Sequence, residues 1–294
     1  MSSRRRFLGK LAAGLGAAAL KPARAFAAST PEVMSPLGGP LGLQLWSLRA
    51  FLPKDVPGTL GRLRALGVRE VEAAGLAGMS VEAFRAALDK ADLVCHSAHM
   101  EFERIRTDVA GALKEARALG VKHLVCPWVP HEGTFTREGA QKAVDVFNAT
   151  GKAAKAEGVR FSYHAHGYEF VPSAEGTLFD TIAKGTEASL VSFEIDLFWA
   201  KAGGVDPAKL VESLPGRVPL LHIKDMKKGL ALPAGSSGAP EDSDVAAGTG
   251  QLDFPAIFRA ARKSGTEICY IEDESTKPWE QIPESLKYLA SMKA

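Results

Sequence analysis

A chain of 294 residues exceeds the usual size of one domain, although a single α/β barrel routinely reaches about 250 residues. Lys and Arg number 36 against 34 Asp and Glu, and 46% of residues are hydrophobic and 24% charged, which describes an ordinary soluble globular protein. The formal charge of +2 comes from the N-terminus: removing residues 1–27 takes out Arg4, Arg5, Arg6, Lys10, Lys21 and Arg24 and no acid. The remainder is slightly acidic, which excludes the electrostatic footprint of a sequence-independent nucleic-acid binder.

The chain opens with Arg4-Arg5-Arg6-Phe7-Leu8, continues through a weakly apolar stretch from Leu11 to Leu20, and reaches the small-residue site Ala25-Phe26-Ala27. That order reads as a secretory signal. The paired arginines followed by Phe-Leu, with Lys21 and Arg24 after the apolar stretch, resemble a twin-arginine (Tat) export signal. The resemblance implies a leader over 1–27, a linker over 28–40, and a periplasmic or secreted protein with no stable membrane insertion after cleavage. Cys95, Cys126 and Cys269 lie far apart in apolar runs and show no CxxC spacing. Three cysteines in an exported chain are read as buried free thiols rather than a disulfide scaffold.

From residue 41 onward, short apolar runs alternate with amphipathic segments. Strands are predicted over 41–46, 68–72, 93–97, 123–127, 160–166, 190–197, 219–225 and 268–273. Helical segments are predicted over 81–88, 109–119, 139–157, 178–184 and 255–263, among others. Arg64-Ala65-Leu66-Gly67-Val68 recurs unchanged as Arg117-Ala118-Leu119-Gly120-Val121, with echoes at Gly158 and Gly265. Each is one device: a cation in the last helical turn, a glycine able to take the left-handed cap, and then a strand. Strict alternation implies a parallel sheet, and eight units over 41–294 favour a single-domain (β/α)8 TIM barrel. An open Rossmann-like sheet is disfavoured because no Gly-x-Gly-x-x-Gly follows the first strand. The long connection over 226–250, rich in Gly, Ser, Pro and Ala, is expected to act as a mobile lid.

Barrel strands alternate inward and outward, so residues two apart share a face, and inward polar residues near a strand's carboxyl end mark the site. Glu194 and Asp196 share a face, as do His222 and Lys224, Glu272 and Glu274, and His164 and His166, with Glu169 just beyond. Asp196, His222 and Glu272, from successive late strands, form an O/N ligand set suited to a divalent ion such as Mn²⁺, Co²⁺, Mg²⁺ or Zn²⁺. Such an ion acts as a Lewis acid on a carbonyl. A lone acid or histidine at any one of these positions is ordinarily a satisfied core group. Their recurrence on four consecutive strands favours the metal site.

His164-Ala165-His166-Gly167-Tyr168-Glu169-Phe170, Asp196 with Trp199, His222-Ile223-Lys224-Asp225, residues 248–254 and Ile271-Glu272 resemble the xylose-isomerase-like barrels. The sugar phosphate isomerase/epimerase group is the nearest in pattern, and the resemblance runs from residue 41 to the C-terminus. It implies a metal held by Glu, Asp, His and Glu from strands five to eight, with carboxylate ligands moving protons beside a sugar carbonyl. Asp196, His222 and Glu272 match the last three positions. At the first, parity places His164 or His166 where the family carries Glu; Glu169 is the nearest carboxylate and is expected as the fourth ligand, with the two histidines as alternatives.

The same resemblance casts Glu272 as an acid/base group, His166 as an imidazole base and Lys224 as the cation that polarises a substrate oxygen. A salt bridge from Lys224 to Glu194 or Glu272 is the alternative role. Gln44, His99 and Trp128, at strand ends, suit sugar hydroxyls and C–H faces, and His164 and Trp199 join them as substrate-facing residues. The expected partner is a small sugar or keto-sugar, with no nucleic acid; self-association is left open. The expected reaction is isomerisation or epimerisation by proton abstraction next to a carbonyl. Alternatives are a keto-sugar lyase or dehydratase and a non-catalytic sugar-binding barrel. An apurinic-site endonuclease is disfavoured by the charge and by only 7 histidines.

Overall fold

The computed structural model describes residues 31–173 and 176–292; the expected leader over 1–27 lies outside them. Eight parallel strands close into a barrel: β1 (Leu41–Gln44), β2 (Glu70–Ala73), β3 (Val94–His99), β4 (His123–Cys126), β5 (Arg160–Ala165), β6 (Val191–Asp196), β7 (Leu220–Ile223) and β8 (Ile268–Ile271). Each pairs with the next, and β8 returns to β1 with Leu41 opposite Cys269. The (β/α)8 architecture is therefore the one expected, and each predicted strand segment overlaps one barrel strand, with β2 and β3 running one and two residues past the predicted ends.

The helices bury the outward faces of the strands. Val81–Lys90, Val109–Leu119, Arg137–Ala156, Leu178–Gly185 and Phe254–Ser264 fall where helical periodicity places them. The glycine device acts as expected at Gly120 and Gly265, which close two of these helices at φ 86° and 79°. Leu197–Ala202 is not among the predicted helical segments, and the strand predicted over 190–197 runs into its first residue, because Asp196 both ends β6 and caps this helix. Pro278–Ser291 is obscured in the sequence by Pro283 inside it.

The expected linker is attached over its described part. Val33 N–H donates to the Gly67 carbonyl at 3.0 Å, Leu41 N–H to the Val33 carbonyl at 3.0 Å, and Arg262 to the Pro36 carbonyl at 2.8 Å. Among the described residues no helix is long and apolar enough to cross a membrane. The three cysteines are buried and free, as expected.

The barrel interior is layered. Val125, Leu220 and Tyr270 form an apolar cluster with Ile268 against it. Gly42 makes room for the Tyr270 ring, since a Cβ there would stand 2.5 Å from its Cδ1. On the carboxyl side of this layer lies a dense polar group. On the amino side, Glu70 at the start of β2 accepts from Tyr270 Oη at 3.2 Å and from the His96 N–H at 3.1 Å, and faces His96 Nδ1 at 2.7 Å.

Burial raises the Glu70 carboxyl from 4.5 to about 7, against the lowering effect of the His96 N–H and Tyr270 hydroxyl. The folded chain thus holds a proton that the unfolded chain releases. The stability this contributes is complete below pH 4.5 and is lost as pH rises toward about 7. Glu70→Gln is expected to shrink the fall in unfolding free energy between mildly acidic and mildly alkaline buffer by on the order of 2 kcal/mol. Urea denaturation at the two pH values measures this, and an undiminished fall removes Glu70 from that role.

Candidate active site

The carboxyl ends of the strands carry the polar group. Glu72 and Glu194, from β2 and β6, are fully buried and face each other through histidines. One oxygen of Glu194, Oε2, lies 3.1 Å from His99 Nε2, 3.0 Å from His164 Nδ1 and 3.2 Å from His222 Nε2. Glu72 Oε1 lies 2.7 Å from His222 Nε2 and 3.0 Å from His99 Nε2. Gln44 donates to Glu72 Oε1, and the Ser97 hydroxyl donates to Glu72 Oε2.

A second group sits beside the first. Asp196, His222 and Glu272 converge with one ligand atom each, all within 4.8 Å of one another. His222 Nδ1 is 3.3 Å from Glu272 Oε2. Asp196 Oδ1 accepts the Trp199 N–H at 2.8 Å because Asp196 caps the following helix. Its other oxygen, Oδ2, is buried with no hydrogen-bond partner among the described residues. Lys224 Nζ lies 3.3 Å from Glu272 Oε2 and 3.9 Å from Asp196 Oδ2, and bonds Glu274. The lysine bridge to Glu272 thus forms; Glu274 and Asp196, not Glu194, are its other acids.

Electrostatics follow from this crowding. Burial opposes the charge of Lys224, yet Glu272, Asp196 and Glu274 outweigh it and hold the ammonium well above the ordinary lysine range. Burial likewise opposes the Glu272 carboxylate, and Lys224 and His222 overcome it, so Glu272 is held well below its usual value. Burial would lower His99, but Glu72 and Glu194 raise it to about 9. His166 goes the other way. Burial, with the charges of His164 and Lys224 behind it, pushes its pKa well below the usual range. It is neutral, and its buried Nδ1 has no partner among the described residues.

The mouth has an aromatic wall. The Trp128 ring lies 5.2 Å from His166 and 4.5 Å from Tyr168, and Trp199 lies 5.5 Å from His166 on its other side. The connection over 226–250 backs this wall: Leu230 and Leu232 pack on Phe198, Trp199 and Met226. It is fastened at its base, where the Asp225 carboxylate accepts from the N–H groups of Gly248, Gly250 and Leu252 at 3.0, 2.8 and 3.1 Å.

The structure brings together Asp196, His222, Glu272, Lys224, His164, His99 and Gln44, and sets His166, Trp128 and Trp199 at the mouth. Gln44, His99 and His164, expected to face substrate, instead turn to the buried carboxylates. Glu169 requires correction as a metal ligand. Its carboxylate accepts from the Tyr163 hydroxyl and, at 3.1 and 3.0 Å, from the His166 N–H. Tyr163 points outward, 4.7 Å from Phe147 of the helix Arg137–Ala156. Glu169 is therefore held on the helix side of β5, away from the interior. The residues missed are Glu194, Glu72 and Ser97, all on interior faces; parity had already put Glu194 on the face of Asp196.

The sequence pattern of the xylose isomerase-like TIM barrel matches residues 60–292. The chain belongs to that family. Among solved structures, it is similar to a sugar phosphate isomerase/epimerase from Parabacteroides distasonis, with 27% identity and TM-score 0.69 over 85% of this chain and 93% of that one. It shares its fold with the IolI protein bearing a zinc atom, at 17% identity and TM-score 0.65 over 85% and 94% of the chains. A family member from Mycobacterium smegmatis in complex with magnesium gives 15% identity and TM-score 0.64 over 87% and 97%. No curated protein matches the chain in sequence.

Lys224 is the buried ammonium among Asp196, Glu272 and Glu274. Lys224→Met is expected to cost about 3–5 kcal/mol of unfolding free energy in the metal-free protein, because it leaves the acids facing one another. Chemical denaturation at neutral pH tests this, and a loss below about 1 kcal/mol would show that the acids are neutralised by other means.

Proposed function

We propose that the chain is a divalent-metal-dependent isomerase or epimerase of a sugar or keto-sugar, acting by proton abstraction next to a carbonyl. The observation that carries this reading is the convergence of Asp196, His222 and Glu272 beside a charged Lys224 and a neutral His166. Asp196 Oδ2, without a hydrogen-bond partner among the described residues, and with an imidazole nitrogen and a Glu272 oxygen near it, fits a hard or borderline divalent ion. When bound, such an ion supplies Lewis acidity to a substrate oxygen.

The chain's own residues do the rest. Glu272 is ionised and His166 is neutral, so both are in the form that accepts a proton. They approach from β8 and β5, two separate sides of the mouth, as removal and return of a proton on different faces of a carbon require. Lys224 Nζ, fixed by its acids, offers a positive charge to the oxygen of a developing enolate. Trp128 and Trp199 present ring surface to sugar C–H groups.

Incubating the metal-loaded protein with keto-sugars in D₂O is expected to place solvent deuterium at the carbon next to the carbonyl. Glu272→Gln is expected to abolish that exchange while sugar binding persists, since an amide cannot carry the proton. An elimination product in place of exchange would make the protein a lyase, and neither outcome would leave a sugar-binding barrel. For Glu272, undiminished exchange in the variant would end its acid/base role.

We also propose that the mature protein is exported through the twin-arginine route. The support is the Arg4-Arg5-Arg6-Phe7-Leu8 opening and the site at Ala25-Phe26-Ala27. Mass spectrometry of the periplasmic protein is expected to find a chain beginning near Ala28, and one starting at Met1 would refute cleavage.

A further inference from the structure

We propose that His222 serves two alternative cation positions: the outer, oxygen-rich one formed with Asp196 and Glu272, and an inner, nitrogen-rich one formed with His99, His164 and Glu194 that takes a zinc-class ion. The proposal rests on the metal-dependent reading above and adds to it a second position on the same imidazole.

The inner group is built like a ligand shell. Three imidazole nitrogens stand 3.0–3.2 Å from the same Glu194 oxygen. Ligands about 2.0–2.1 Å from a tetrahedral zinc ion are separated from one another by roughly 3.3 Å, so these spacings match the edges of such a shell. The four ligand atoms lie within 4.8 Å of one another. Glu194 Oε1 is buried without a hydrogen-bond partner among the described residues. Three nitrogens and one oxygen favour Zn²⁺ or Co²⁺, whereas two carboxylates and one nitrogen favour Mn²⁺ or Mg²⁺.

The two positions exclude each other through His222. A neutral imidazole has one lone pair for a metal and one N–H. With an ion on Nε2, the proton resides on Nδ1 and donates to Glu272 Oε2, 3.3 Å away. With an ion on Nδ1, the proton resides on Nε2 and donates to Glu72 Oε1, 2.7 Å away. Each tautomer therefore finds a carboxylate that orients it, the outer-shell support metal-bound histidines depend on. Moving the ion from outer to inner position moves one His222 proton from Nε2 to Nδ1.

The test uses the full mature chain, freed of metal by chelation, with Mn²⁺ binding followed by electron paramagnetic resonance and Zn²⁺ binding by equilibrium dialysis. Zn²⁺ is expected to displace Mn²⁺ one for one. His164→Asn and Glu194→Gln should each weaken Zn²⁺ about tenfold or more and leave Mn²⁺ affinity within about threefold. Asp196→Asn should do the reverse, and His222→Ala should weaken both ions. Co²⁺ in the wild type should show the visible absorption of a tetrahedral, nitrogen-rich site, lost in Glu194→Gln. Circular dichroism checks folding, and His99→Gln, nearer the surface, replaces any variant that does not fold. Equal losses of Zn²⁺ and Mn²⁺ in every variant, or full Zn²⁺ affinity without Glu194 and His164, would overturn the inner position while leaving the outer one intact. Failure of the wild type to bind any divalent ion would overturn both.

Discussion

Glu72, Glu194, Asp196 and Glu272 are buried at one end of the barrel, and their charge has to be met there. Taking a carboxylate out of water costs several kcal/mol unless a cation or a set of donors replaces the lost hydration. Lys224 neutralises the Asp196–Glu272–Glu274 side. Among the described residues, the groups able to carry positive charge that pair with Glu72 and Glu194 are imidazoles, helped by donors from Gln44 and Ser97 to Glu72. The rest of the site follows from this imbalance. It holds His99 protonated well above neutrality.

The barrel makes this concentration tolerable. Parallel strands bring their carboxyl ends to a single face, so acids and imidazoles from several strands accumulate into a cluster that no single segment contains. The apolar layer of Val125, Leu220 and Tyr270 seals its floor, and the helices seal its sides. The same enclosure that makes an unmatched charge costly strengthens each interaction once matched. His166, outside the carboxylate ring, is driven to the neutral form by burial, with His164 and Lys224 adding to it, whereas Glu72 and Glu194 keep His99 charged against its burial.

Position on the strand, not residue type, separates acids that face the barrel interior from acids held on its helix side. Glu169 and Glu272 are both buried carboxylates near strand ends, yet Glu169 is consumed by Tyr163 and its own turn on the helix side. Glu272 faces the interior and meets a lysine and a histidine. Family membership, established over residues 60–292, accounts for the shared scaffold. One side of the site is rich in imidazoles, and there His164 on β5 pairs with Glu194 on β6.

The sequence by itself determined the barrel, because apolar alternation, glycine-capped helices and their eightfold repetition are local signals carried by short segments. It also determined that Asp196, His222, Lys224 and Glu272 share one face of the barrel, because side-chain parity along a strand is a local property. Only the tertiary structure decided which acids reach which histidines. That depends on the stagger of neighbouring strands, which sets Glu194 opposite His164 and brings Glu72 on β2 across to His222 on β7. It also decided the fate of Glu169, since a residue just past a strand can turn to either side. That turn is held by the Tyr163 hydroxyl, which donates to Glu169 and meets the Tyr168 hydroxyl, a meeting no spacing in the sequence records.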